Sequence, residues 1–510
     1  VSRLAPLPTV IPLLGAAIAL LWARSPAVQR AISVAAILGA LGASIGLLAE
    51  ADGSGPVVAR IGAWSPKIGI SYVIDRFSGL MLVIAMITLL AVLLFAIGES
   101  TRRAPSPVFH PVYLVLAAGV CAAFSTGDLF HLFVSFEILL MASYVLLTLD
   151  GNESQVRSAT TYVIINTVES VVLLGAIGLV YAATGTLNMA DLPHRLADLG
   201  PGVETGLYLL LLIAFGLKAA VFPLFFWLPD SYPSARSPVT AVFAGLLTKV
   251  GVYAIVRTQM QLFPHRGGTL LLYVAAFTMV VGVLGAIAQN EMKRILSFHI
   301  VSQIGYMIFG IAIGGIAGIA ATIFFLIYQI PVKTSLFLVD GLVEHWSGTS
   351  RLDRLGGLAR ESGFLALLFL LPALSLSGIP PLAGFVAKFG IVTAGFDAGQ
   401  GLVVAIALAC SLLTLVSMTK IWVSAFWGRP ATAAPEPAPV PAPVPRPGAV
   451  AVLAGTATRP RWPAPMVAGT VGLVAVGLTV ALAAGPLYAL CERAAADVVS
   501  SRPPTVEHRP

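Results

Sequence analysis

Four lysines stand inside stretches that are otherwise apolar enough to cross a membrane: Lys218 in LLLIAFGLKAAVF, Lys249 in AVFAGLLTKVGVYAI, Lys333 in IFFLIYQIPVKTSLFLV and Lys388 in LAGFVAKFGIV. An ammonium at bilayer depth costs roughly 2.5 to 3.5 kcal/mol on insertion scales, so such residues usually face a bundle interior and mark an ion or proton path. Glu137 in LFHLFVSFEILLMASYVLL, Glu169 in NTVESVVLLG and His299 in RILSFHIVSQIGYMIFG add acids and a neutral-pH proton carrier to the same setting. The chemistry these residue types support is charge relay. A lone Glu137 would be driven toward its neutral form, and Lys218, two helices on and just before Pro223, is its expected partner. Lys249, Lys333 and Lys388 have no acid close in sequence and are read as proton-exchanging groups. Lys420, near a helix end, reads as a snorkelling residue, and Asp128 and His131 read as interfacial.

Composition sets the class of fold that must position them. The 510 residues are 58% hydrophobic and 10% charged, with mean hydropathy +0.93, far beyond the roughly 45 to 50% apolar usage of soluble domains. An all-α polytopic membrane protein follows, with its relay inside the lipid bilayer. The net charge of +7 is spread through short loops without interleaved aromatics, which excludes a nucleic-acid surface. Cys121, Cys410 and Cys491 lie far apart in apolar runs, and neither a disulfide framework nor a metal knuckle is indicated. Nucleotide loops and HExxH are absent from the sequence, so no cofactor, no metal site and no covalent chemistry are expected.

At about 20 apolar residues per crossing, spans are expected at 5–23, 28–49, 76–97, 108–126, 128–149, 157–184, 205–229, 236–262, 268–289, 293–314, 316–341, 362–396, 400–427 and 465–490. That makes about 14 helices, the first retained as a spanning helix since no cleavable leader pattern precedes it. Arg24, Arg30, Arg102, Arg103, Arg157, Arg236, Lys293, Arg294, Arg351, Arg354, Arg360 and Arg429 fall on one side, against Arg60, Lys67, Arg76, Arg195, Arg257 and Arg266 on the other. The basic side is the cytoplasmic one, which puts both termini outside.

Pro223, Pro229, Pro233 and Pro238 interrupt span 7 and the loop after it, and Pro372, Pro380 and Pro381 interrupt span 12; both spans should be broken. Paired broken spans point to a repeat-built transporter. The expected organisation is N-terminal helices 1–107, a first five-helix repeat 108–262 and a second, inverted repeat 268–428. A Pro/Ala-rich loop 429–464 and a C-terminal helix and tail 465–510 complete it.

The runs DLFHLFVSFEILLMASYVLL, TGTLNMADL, GLKAAVFPLFFWLPDSYPSARSPVTAVFAGLLTKVGVYAIVR, SFHIVSQIGYM and SLSGIPPLAGFVAKF resemble the large antiporter-like subunits. These are shared by Mrp-type cation/proton antiporters and the membrane arm of respiratory complex I, and the details are most similar to the D-type subunits of the Mrp class. The resemblance implies a bacterial inner-membrane protein with partner subunits, exchanging protons for a monovalent cation such as Na+. It implies a proton path through Glu137, Lys218, Lys249, His299, Lys333 and Lys388, with Glu137 gating Lys218, and a broken helix around Lys333. Tyr328 stands where related sequences commonly carry a histidine five residues before that lysine, and a phenol is a poor proton carrier at neutral pH; Tyr328 and Glu169 are auxiliary positions. The alternative implied is a pump subunit of complex I or of a membrane-bound hydrogenase.

Overall fold

The computed structural model describes residues 4–61, 69–100, 106–264, 266–428 and 462–500. Among these, eleven helices are long and apolar enough to cross a membrane, and three shorter apolar ones, Leu7–Leu21, Phe109–Ser125 and Gly363–Ser377, bring the number to the expected fourteen. Most of the Pro/Ala-rich loop, together with Lys67, Arg102, Arg103 and Arg429, falls outside the described residues.

Spans 1 to 3 are Leu7–Leu21, Pro26–Ser54 and Arg76–Glu99. Between the second and third lies a hairpin that the all-helical expectation lacked: β1 (Val57–Arg60) runs antiparallel to β2 (Ser71–Ile74), with Val57 opposite Ile74. Spans 4 to 6 are Phe109–Ser125, Leu129–Leu147 and Glu153–Thr184. Span 5 starts at Asp128, whose carboxylate caps the Phe130 and His131 amides, so this acid has a structural task.

Spans 7 and 12 are broken. Span 7 runs over Pro201–Ala219 and, after a turn through Pro223, resumes as Trp227–Ser231; span 12 comprises Gly363–Ser377 and Ala383–Asp397. Each first half ends on a left-handed residue, Ala220 at φ 58° and Gly378 at φ 84°, the geometry that stops a helix by turning its last carbonyls aside. Polar side chains satisfy the backbone this frees: Thr278 accepts from the Phe222 amide at 3.0 Å, and Trp227 donates to the Leu217 carbonyl at 3.1 Å. Such repair is what permits irregular backbone at this depth.

Three expectations are corrected. Span 11, Gly315–Ser347, is one continuous helix with Pro331 inside it, since a proline removes one donor and need not break a helix packed on every side. Span 14 is two pieces, Ala464–Leu482 and Ala484–Val499. It begins beside span 11, where Trp462 donates to the Leu342 carbonyl, and ends where Asp497 binds Arg76 of span 3 at 2.8 Å. Arg257 is not in a loop. It ends the α-helical part of span 8 (Ser237–Leu262), buried, with Nη1 and Nη2 each 2.6 Å from an oxygen of Asp75. Further bonds run from its Nη2 to Ser78 and its Nε to Tyr253. Bidentate pairing is what allows two charges to be buried without protonation.

Span 8 lies at the centre of the bundle, buried along its whole apolar window. It approaches the break in span 7 so closely that a Cβ on Gly251 would stand 2.6 Å from the Ala219 nitrogen and 3.0 Å from the Lys218 carbonyl carbon. Gly251→Ala is therefore expected to cost about 1 to 3 kcal/mol by overpacking and to displace Lys218, seen as lost ion exchange in a complex that still assembles. Arg257→Met leaves Asp75 buried and uncompensated, an expected loss of about 3 to 5 kcal/mol. A lower thermal midpoint of the purified complex, partly restored by adding Asp75→Leu, is the corresponding observation.

Candidate functional site

Lys218 occupies the last turn of the first half of span 7, where the helix's carbonyl end favours a cation. Its ion-pair partner is Glu169 of span 6: Nζ and Oε2 are 3.7 Å apart and both side chains are at most 2% exposed. The expected partner, Glu137, is instead half-buried and accepts a short hydrogen bond from Ser170. Span 6 thus turns two consecutive residues to two different neighbours, Glu169 to span 7 and Ser170 to span 5. The Phe136 ring, beside Glu137 in sequence, lies 5.5 Å from the Lys218 ammonium, and the charge of Glu137 still acts on Lys218, after that of Glu169.

The Lys218–Glu169 pair is loose. Neither partner has a hydrogen bond of ordinary geometry, to the other or to any described group, in contrast to the four-fold hydrogen-bonded Arg257. A buried pair with room between its partners can open without breaking a network.

Lys249 follows a π-helical segment, Phe243–Leu247. The widened turn aims the Ala244 carbonyl at the lysine, and Nζ donates to it at 2.6 Å; insertions of this kind recur at functional sites. Within that segment Gly245 leaves no room for a side chain against Thr334 of span 11, which brings span 8 to the residue following Lys333.

Lys333 is wholly buried, and its Nζ has no hydrogen-bond partner among the described residues. The charges of Lys249 and Lys388 both act on it, and those of Lys333 and Lys388 both act on His299. His299, in span 10 (Met292–Ile313), bonds Ser417 through Nε2 at 2.9 Å and leaves Nδ1 without a partner among the described residues. The Gln303 and Gln329 amides and the Thr248 and Tyr328 hydroxyls are likewise buried and unpartnered there. Thr248, Gln303, Gln329 and Tyr328 lie on the spans that carry Lys249, His299 and Lys333, and buried unpartnered polar groups of this kind suit bound water. Tyr328 stacks edge-on against Phe325 at 4.9 Å and faces Gly384 at the break in span 12.

Lys388 closes the series. Its Nζ donates to Ser411 Oγ at 2.9 Å and to the Ser377 carbonyl freed by the span 12 break at 3.3 Å, above the Tyr306 ring. Lys420, by contrast, bonds the Ile287 and Gln289 carbonyls at the end of span 9 (Gly268–Ala288) and lies apart from this series. The structure therefore gathers Lys249, Lys333, His299 and Lys388 through the middle of the molecule and places Lys218 with Glu169 at one end.

One acid has no counterpart among the residues expected from the sequence. Asp340 of span 11 is wholly buried; its signal was a carboxylate seven residues after Lys333, on the same helix face.

The family described as "NADH:quinone oxidoreductase/Mrp antiporter, TM" matches residues 126–414. The D component of the Na(+)/H(+) antiporter of Alkalihalophilus pseudofirmus is 42% identical over 431 residues, covering 84% of this chain and 87% of that protein. A chain of the Mrp complex from Dietzia sp. superimposes with a TM-score of 0.88 at 33% identity, covering 98% of each. A chain of respiratory complex I from Thermus thermophilus, 23% identical with a TM-score of 0.81 over 98% of this chain and all of that one, shares the fold. With the matched region spanning both broken helices and every lysine between them, this chain belongs to the NADH:quinone oxidoreductase/Mrp antiporter transmembrane family.

Proposed function

We propose that this chain is the proton-translocating subunit of a hetero-oligomeric Mrp-type antiporter in a bacterial cell membrane, exchanging protons for a monovalent cation, Na+ by the names of its relatives. The relative named for Na(+)/H(+) antiport and the chain of the Mrp complex are 42% and 33% identical to it, against 23% for the chain of respiratory complex I, which favours this reading over a redox-driven pump subunit. Transport of this kind moves protons and cations and converts no substrate into a product. Spans 4 to 8 and 9 to 13 form two inverted repeats in this reading, supported by the breaks at spans 7 and 12, each set off by a left-handed residue.

The observation that carries the mechanism is the loose buried pair of Lys218 and Glu169, in series with Lys249, Lys333, His299 and Lys388. While the pair is closed, the Lys218 ammonium is compensated. Opening it leaves a bare charge in a low-dielectric interior, and passing the proton inward along bound water removes that charge. Glu137 tunes the same lysine from further away, so proton occupancy of Lys218 depends on both acids.

In vesicles carrying the whole antiporter operon, Lys218→Ala is expected to abolish cation-driven proton movement while a native gel shows the complex intact. Glu169→Gln should lower the initial rate by at least about tenfold, and by more than Glu137→Gln does. The reverse order would return Glu137 to the role of direct partner. Wild-type exchange in an assembled Lys218→Ala complex would make the pair a structural staple.

A further inference from the structure

Asp340 stands two helical turns beyond Lys333, about 10 Å along span 11. Its side chain is wholly buried, and neither carboxylate oxygen makes a hydrogen bond of ordinary geometry among the described residues. Charged groups surround it from several elements. Lys293, at the start of span 10, and Glu344, one turn further along span 11, both act on Asp340, as do Glu291 and the Ser350 hydroxyl; Glu99, at the end of span 3, acts on Lys293. Lys293 Nζ is bound to Glu344 Oε2 at 2.6 Å, with Ser237 of span 8 donating to the same oxygen at 3.0 Å. Burial falls off outward along this series: the side chain of Lys293 is 6% exposed, that of Glu344 44%.

We propose that Asp340 is a proton-exchange site that opens the central relay to the basic face of the membrane, between Lys333 and the surface-reaching Lys293–Glu344 pair. The inference rests on the antiporter reading and adds to it a residue and an exit. The Lys333 ammonium gives its proton, through bound water, to the Asp340 carboxylate. The resulting carboxylic acid releases it to solvent beside Glu344, which restores the carboxylate, and Lys333 regains its proton from the next group of the relay. Lys293, held by Glu344 at 2.6 Å, keeps an ammonium beside the acid, which compensates the carboxylate once its proton has left. A carboxylate also suits the place chemically, because a neutral acid at this depth avoids the charge that a second lysine would add to Lys333.

The test uses the full operon in inverted vesicles, with Asp340→Asn and Asp340→Glu, assembly checked on native gels and initial rates taken from about pH 6 to pH 9. Asp340→Asn is expected to lower the maximal rate by at least about tenfold with the half-saturating cation concentration unchanged. Asp340→Glu, which keeps an exchangeable proton, should retain most of the rate with a displaced pH profile, a response that a packing role would not give. An assembled Asp340→Asn complex with the wild-type rate and pH profile overturns the proposal. If Asp340→Asn does not assemble, Glu344→Gln at the half-exposed mouth decides: a reduced maximal rate supports the route, and wild-type exchange overturns it. Lys218→Ala in the same membranes separates the two levels. Loss there with retention in Asp340→Asn sinks the Asp340 exit alone, while retention in both sinks the antiporter reading of the buried charges.

Discussion

A charge placed in a low-dielectric interior must be tied down tightly or be free to leave, and this constraint sorts the buried ionisable groups of the protein into two kinds. Arg257 and Asp75 meet it by geometry, with two 2.6 Å bonds and further donors to Ser78 and Tyr253. Lys218 and Glu169, 3.7 Å apart, and Lys333, with no hydrogen-bond partner among the described residues, meet it by chemistry, since an ammonium can lose its charge by giving up a proton and a carboxylate by taking one. A guanidinium effectively cannot. The distribution of residue types follows: arginine where spans 3 and 8 are fastened together, lysine at the positions the proposed relay uses.

The backbone irregularities serve the same division. Three of them lie beside lysines and present them with peptide groups that a regular helix would have used up: the span 7 terminus at Lys218, the π-turn carbonyl of Ala244 at Lys249, the Ser377 carbonyl at Lys388. These dipoles soften the cost of an ammonium without adding a fixed negative charge, so they do not trap the proton. Lys333, on the unbroken span 11, has no such carbonyl. Lys249 and Lys388 each hold a hydrogen bond to one, and the Lys333 ammonium holds none among the described residues.

The class of fold, the fourteen crossings and both breaks were legible in the sequence because they depend on composition and on proline, which act locally. So was the presence of four lysines, His299 and Glu137 within the spans, because an ionisable residue in an apolar run is conspicuous by contrast. What could not be read was rotational phase. Neighbouring helix residues point about 100° apart, so whether Glu137, or Glu169 and not Ser170, faces Lys218 is decided by how spans 5, 6 and 7 roll against one another. Arg257 meets Asp75 across 182 positions and looked like a loop residue from its place at a span end. Asp340 escaped for a related reason. It sits where a span should be reaching the interface, and the packing of spans 8 and 10 around it, with the extension of span 11 to Ser347, is what buries it.

Glu137 is only half-buried, and its face of the bundle also carries Phe130, Met141 and Val145, large apolar groups exposed on the same helix. The surroundings of this carboxylate are therefore completed by whatever lies against that surface, hydrocarbon in an isolated chain and a neighbouring protein in an assembly. Because Glu137 acts on Lys218, docking or loss of a neighbour on this face changes the electrostatic field at the first buried lysine without moving an atom of span 7. The wall beside this buried lysine is thus completed from outside the chain, and the proposed proton site takes part of its electrical setting from whatever covers that face.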